Sequence, residues 1–166
     1  MCCSVQKLIF ELIIKEFLKL KEQLYNQCHD ILDLRLKVIQ KTIADIQNAL
    51  QSETKSTAGD KHETGRAMLQ LEREKAGLQL AQLQKQQELL HKINPEQEHQ
   101  VVALGSIVKT SGANYFMSVS GGELKYNNEL FYAISLATPI GQLLVSKQVG
   151  DRIKFRAQQF TITAIF

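Results

Sequence analysis

The 166-residue chain has no tryptophan, seven phenylalanines and four tyrosines, so no single core is expected to be large. Its three cysteines exclude a disulfide framework: Cys2 and Cys3 are adjacent and Cys28 stands apart. Such usage fits a reducing cytoplasm. No group of Cys and His has metal-site spacing. Cys28 and His29 are chain neighbours, which on a helix do not face each other, so they make a poor nucleophile and base. No apolar run is long enough to span a bilayer, which excludes a membrane protein of that kind. The densest stretch, Val5 to Leu20, is interrupted by Glu11 and lacks a small-x-small cleavage site, so it does not read as a signal peptide. Strong charge is missing too. The formal net charge of +3 is too mild to argue nucleic-acid binding by itself. The positive excess lies after residue 100, where Lys109, Lys125, Lys147, Arg152, Lys154 and Arg156 face Glu123, Glu129 and Asp151.

What is present is a long helical pattern. Residues 1–20 form an apolar N-terminal helical extension whose wide face is expected to pack on something. A second copy, giving a homodimer through residues 5–20, is one candidate. From Leu24 the period is regular. Leu32, Leu36, Ile39, Ile43, Ile46 and Leu50 follow heptad spacing. Over residues 51–58 the apolar period is lost, and Gly59 offers a permissive backbone for a reversal. A second seam runs through Leu69, Ala76, Leu80, Leu83 and Leu90, with Arg73 and Gln87 at its polar positions and Leu71 and Leu78 beside it. It stops at Ile93-Asn94-Pro95, where proline cannot continue the helix. Residues 21–94 therefore predict an antiparallel coiled-coil hairpin with its tip near 56–63. Each arm of thirty-odd residues would be roughly 50 Å long at 1.5 Å per residue.

Two carboxylates sit at that tip. Asp60 and Glu63 are spaced i, i+3, which places them on neighbouring turns of one helix face. The same spacing is that of a capping box, with Asp60 as N-cap and Glu63 reaching back. Both roles fit the residues, and one does not exclude the other.

Residues 95–100 are a polar linker, and the period then changes to that of strands. Val101–Lys109 and Tyr115–Ser120 are strand-like, as are Leu124–Tyr126 and Leu130–Ser135, the latter two joined through Asn127-Asn128-Glu129. Thr138 and Pro139 predict the N-cap and first position of a short helix, with Ile140, Leu143 and Leu144 as its apolar face. Arg152–Phe155 and Phe160–Ile165 complete the set. The expected fold is α+β: a helical hairpin, then a small antiparallel sheet with one short helix over residues 101–166.

Two motifs in this chain resemble those of the Gre family of bacterial transcript cleavage factors. The first is Gly59-Asp60-Lys61-His62-Glu63-Thr64, against a family pattern of Gly-Asp-Leu-x-Glu-Asn. The second is Ile134-Ser135-Leu136-Ala137-Thr138-Pro139-Ile140-Gly141, followed by Val149-Gly150-Asp151, against Ile-Ser-x-x-Ser-Pro-[Leu/Ile]-Gly and a Val-Gly-Asp turn. The resemblance runs from about Leu20 to the C-terminus. It implies a C-terminal domain similar to FKBP that docks on RNA polymerase through Ser135, Thr138, Pro139, Ile140 and Gly141. It also implies a hairpin that enters the secondary channel, where Asp60 and Glu63 help hold a Mg²⁺ ion shared with the polymerase and stimulate cleavage of backtracked transcripts. On that reading the transcription complex's nucleic acid is contacted only indirectly, and the chain stimulates the polymerase's own chemistry. Three other functions stand beside it. One is a channel regulator without chemistry. Another is a coiled-coil interaction module. The last is a prolyl isomerase, which the residues support least, since fold does not imply function.

Overall fold

A computed structural model describes the backbone of residues 2–54 and 60–166 and the side chains of 14–52 and 63–166. It contains three helices and six strands among these residues: α1 (Cys2–Thr54), α2 (Asp60–His91), β1 (Ile107–Thr110), β2 (Asn114–Ser118), β3 (Gly122–Tyr126), β4 (Glu129–Ser135), α3 (Pro139–Leu144), β5 (Arg152–Phe155) and β6 (Gln158–Ile165). The class is α+β. The chain forms two compact units, one of Met1–Asp30 with Leu89–Phe166 and one of Ile31–Glu88.

The unit of Ile31–Glu88 is the helical hairpin. Its seams follow the heptads. Leu32 and Ile46 on α1 and Ala76 and Leu83 on α2 are buried, and the seam positions between them are half-buried. Arg73, at a seam position of α2, is exposed. Leu71 and Leu78, one position group away, are each 68% exposed, so seam register rather than hydrophobicity decides what is covered. The reversal at 55–59, including the turn expected at Gly59, lies outside the described residues.

The other unit is built on a six-stranded sheet of order β3-β4-β2-β1-β6-β5. An all-antiparallel sheet was the expectation, and one ladder departs from it. β2 and β4 pair in parallel, from Asn114 with Phe131 to Ser118 with Ser135. β3 and β4 form a tight hairpin in which β3 takes the outer edge, and this leaves the inner side of β4 to β2. The hairpin turn is Asn127-Asn128, both at positive φ (45° and 66°). Asparagine tolerates that region, and two such residues in a row match the right-handed twist of the flanking strands.

Successive residues of a strand face opposite sides, and here each side has its own cover. On one side Val108, Met117, Ile153, Phe160 and Ile162 form a core with Leu144 of α3, edged by Ile134 and Ile140. On the other, Ile107, Phe116, Ser118, Phe131 and Ala133 are buried. There Cys28 of α1 meets the Ser118 hydroxyl at 3.6 Å. Leu20, Leu24 and Cys28 are buried at four-residue spacing, one stripe of α1. Gln27 adds a two-way clamp on β3, donating to the Lys125 carbonyl at 2.9 Å and accepting from the Lys125 N–H at 3.1 Å. Phe17 stacks on Phe166 with ring centroids 3.7 Å apart. Part of the apolar face expected to need a partner, Phe17 and Leu20, thus packs within the chain. The side chains of residues 1–13 lie outside the described residues.

Two further expectations are corrected. Val101–Ser106 is not part of a strand. Gly105 takes φ +89° and donates to the Met117 carbonyl, which turns the chain. Val102 is buried by exchanging hydrogen bonds with the segment after α3, its N–H to Lys147 and its carbonyl from Ser146. Leu143, assigned to the apolar face of α3, is 40% exposed, while Leu144 is fully buried.

Candidate functional site

The start of α3 is a knot of short-range hydrogen bonds that its sequence dictates. Pro139 at the first helical position lacks the N–H that would be orphaned there. Thr138 is the N-cap, in extended conformation (φ −71°, ψ 153°). Its hydroxyl accepts from the Gly141 N–H at 3.2 Å and donates to the Ser135 carbonyl at 2.6 Å. The Thr138 N–H donates to the same carbonyl at 3.0 Å. The Ser135 hydroxyl accepts from the Ala137 N–H at 3.2 Å. A Cβ on Gly141 would stand 2.3 Å from the Ser135 carbonyl oxygen and 2.9 Å from the Thr138 hydroxyl. Only glycine fits that position.

Ser135, Thr138 and Gly141 are therefore brought together, and their polar atoms are spent on shaping the corner. Gly141 is buried, and Ser135, Thr138 and Ile140 are half-buried. Of the five residues singled out from the sequence, Pro139 alone is exposed. Leu143 lies four positions on, one turn along the same face of α3, and is exposed as well. Val149, in the segment that follows, is 56% exposed. Leu143 and Val149 are apolar residues of this region whose exposure sequence reasoning missed. The signal was weak, because a six-residue helix offers too few turns for its period to separate position 143 from 144.

At the other candidate site, Asp60 is the first residue of α2 and Glu63 follows at the end of its first turn. The Glu63 side chain is exposed; that of Asp60 lies outside the described residues, as do those of Lys61 and His62. Among the described residues no cluster of three His, Cys, Asp or Glu could hold a metal ion. A carboxylate pair at i, i+3 is a fragment of a metal site: Mg²⁺ is commonly bound by one or two carboxylates plus water and phosphate oxygens.

No helix among the described residues is long and apolar enough to cross a membrane. No protein-family model matches the chain, and no curated protein matches it significantly.

Proposed function

We propose that this chain is a Gre-type elongation factor: it binds RNA polymerase through the outer face around α3 and presents the hairpin tip to the secondary channel. The observation that carries this reading is the motif Ile134–Gly141. Its unusual residues each have a physical task in one corner, and the corner leaves Pro139 and Leu143 facing outward. A motif that resembles the family's is thereby also a device that presents a small apolar surface. The second support is the pair Asp60 and Glu63 at the beginning of a 32-residue helix. A factor of this type needs reach and two carboxylates, not an enclosed pocket.

In this scheme Asp60 and Glu63 lend negative charge and oxygen ligands, and the polymerase completes the set. A Mg²⁺ ion shared in that way clamps the attacking and leaving oxygens of a phosphodiester. The seam residues keep α1 and α2 paired.

A second reading has its own observation. Around the tip, Lys55, Lys61 and Arg66 balance Glu53, Asp60 and Glu63, so the tip is neutral overall. A neutral tip favours a regulator that occupies the channel without aiding cleavage. Docking is common to both readings. It is tested with the full-length chain: a Leu143→Glu, Val149→Glu variant should lose binding to RNA polymerase at least tenfold while its circular dichroism is unchanged, since both side chains are exposed. Binding equal to wild type would remove this face from the interface.

A further inference from the structure

The α1 segment around Lys21, the 95–100 segment and the end of β6 line a half-open pocket of about 300 Å³. Its walls are apolar where Ile14, Phe17, Leu18, Ile165 and Phe166 meet it. Among the described residues one lysine, Lys21, lies in this wall. Lys21 is only 3% exposed, and its ammonium donates to the carbonyl of Gln97. An ammonium carries three donors, and among the described residues the Gln97 carbonyl is the one acceptor it meets within hydrogen-bond distance; burying a charge without full compensation is costly. Burial pushes its pKa down to about 8, against an opposing pull from Glu98. His99, also in the wall, is pushed down by its own burial and then by the Lys21 charge. Among the described residues the other titratable side chains of the lining, Glu96 and Glu98, are exposed.

We infer that this cavity binds an aliphatic monocarboxylate, with the carboxylate on the Lys21 ammonium and the chain against Ile14, Phe17, Leu18 and Ile165. The two charged features set the selectivity. The buried cation calls for an anion inside. The two exposed glutamates repel a second negative charge, which disfavours dicarboxylates and phosphate esters. A volume of about 300 Å³ suits a medium-length chain. Neither the tip carboxylates nor residues 135–141 take part, so the site is independent of the proposed polymerase binding.

Calorimetric titration of the full-length protein with decanoate, decanol and sebacate below their aggregation limits tests this. Decanoate should bind at least tenfold more tightly than either of the others. Lys21→Met keeps the length of the stem and removes the charge. It should abolish the preference for decanoate over decanol while leaving decanol binding in place, which also shows that the cavity is still formed. If Lys21→Met fails to fold, wild-type protein still decides: decanoate should slow reductive methylation of Lys21 at least fivefold relative to the exposed Lys154, read by mass spectrometry. No preference for decanoate over decanol in wild type, an unchanged preference in Lys21→Met, or no protection of Lys21 would each overturn the assignment.

Discussion

At Gly141 one methyl group would collide with the carbonyl oxygen of Ser135, and that oxygen already accepts two hydrogen bonds from Thr138. Relief would require the backbone to move. Gly141→Ala should therefore lower stability by about 1–3 kcal/mol, the usual range for forced overpacking. Thr138→Ala should cost about 1 kcal/mol through the lost cap, and Thr138→Ser should restore most of it. Urea midpoints of the three variants check the order. Lys21 supplies a pH signature. Its ordinary pKa of 10.5 falls to about 8 in the folded chain. Between these values the unfolded chain holds a proton that the native chain has released, so the contribution of Lys21 to stability rises as pH climbs from about 8 to 10.5. Below that window the cost of a buried ammonium is fully present. The stability advantage of Lys21→Met over wild type should thus shrink between pH 8 and pH 10. A constant difference would mean that the ammonium is not penalised by burial.

At the scale of elements, the hairpin rests on few side chains. Ile46 is buried in the α1 seam, and Ile46→Asp would place an unpaired carboxylate there. Helicity should fall sharply, while near-ultraviolet signals of the tyrosines in the sheet persist. Leu71→Asp, on the exposed side, should change neither. This contrast was largely legible beforehand: the heptads at 32–50 and 69–90 mark which leucines are covered, because period determines face. The cap at Thr138 and the turn at Asn127-Asn128 were legible for the same reason, each being a local device with a local signature. What was not legible is non-local. The parallel pairing of β2 with β4 follows from β3 taking the edge, which no residue within β2 announces. Val101–Leu104 has the composition of a strand, yet Gly105 turns the chain and the loop after α3 supplies the partners. Lys21 is buried beside the 95–100 segment, whose Gln97 carbonyl it meets 76 positions away in sequence, and no local pattern marks that contact.

For the whole molecule, the division into units alters how its parts can be separated. Residues up to Asp30 belong with the sheet, and Leu20, Leu24 and Cys28 are buried there. Deleting residues 1–94 would strip that cover from the sheet, so a truncated C-terminal fragment is a poor probe of docking and full-length point variants are the better ones. A metal-binding role of the tip carboxylates can be separated in the same way from the capping role that their spacing suggests. Asn caps as well as Asp, and Gln serves in a capping box in place of Glu, but a neutral amide is a far weaker ligand for Mg²⁺ than a carboxylate. The most direct measurement is release of the 3′ RNA fragment from a halted, backtracked transcription complex incubated with Mg²⁺ and full-length protein. A Gre-type factor accelerates release, and Asp60→Asn and Glu63→Gln each remove most of that acceleration while leaving polymerase binding and helicity unchanged. Equal cleavage by wild type and both amide variants, or binding by wild type without any cleavage, would contradict a role for these carboxylates in the chemistry.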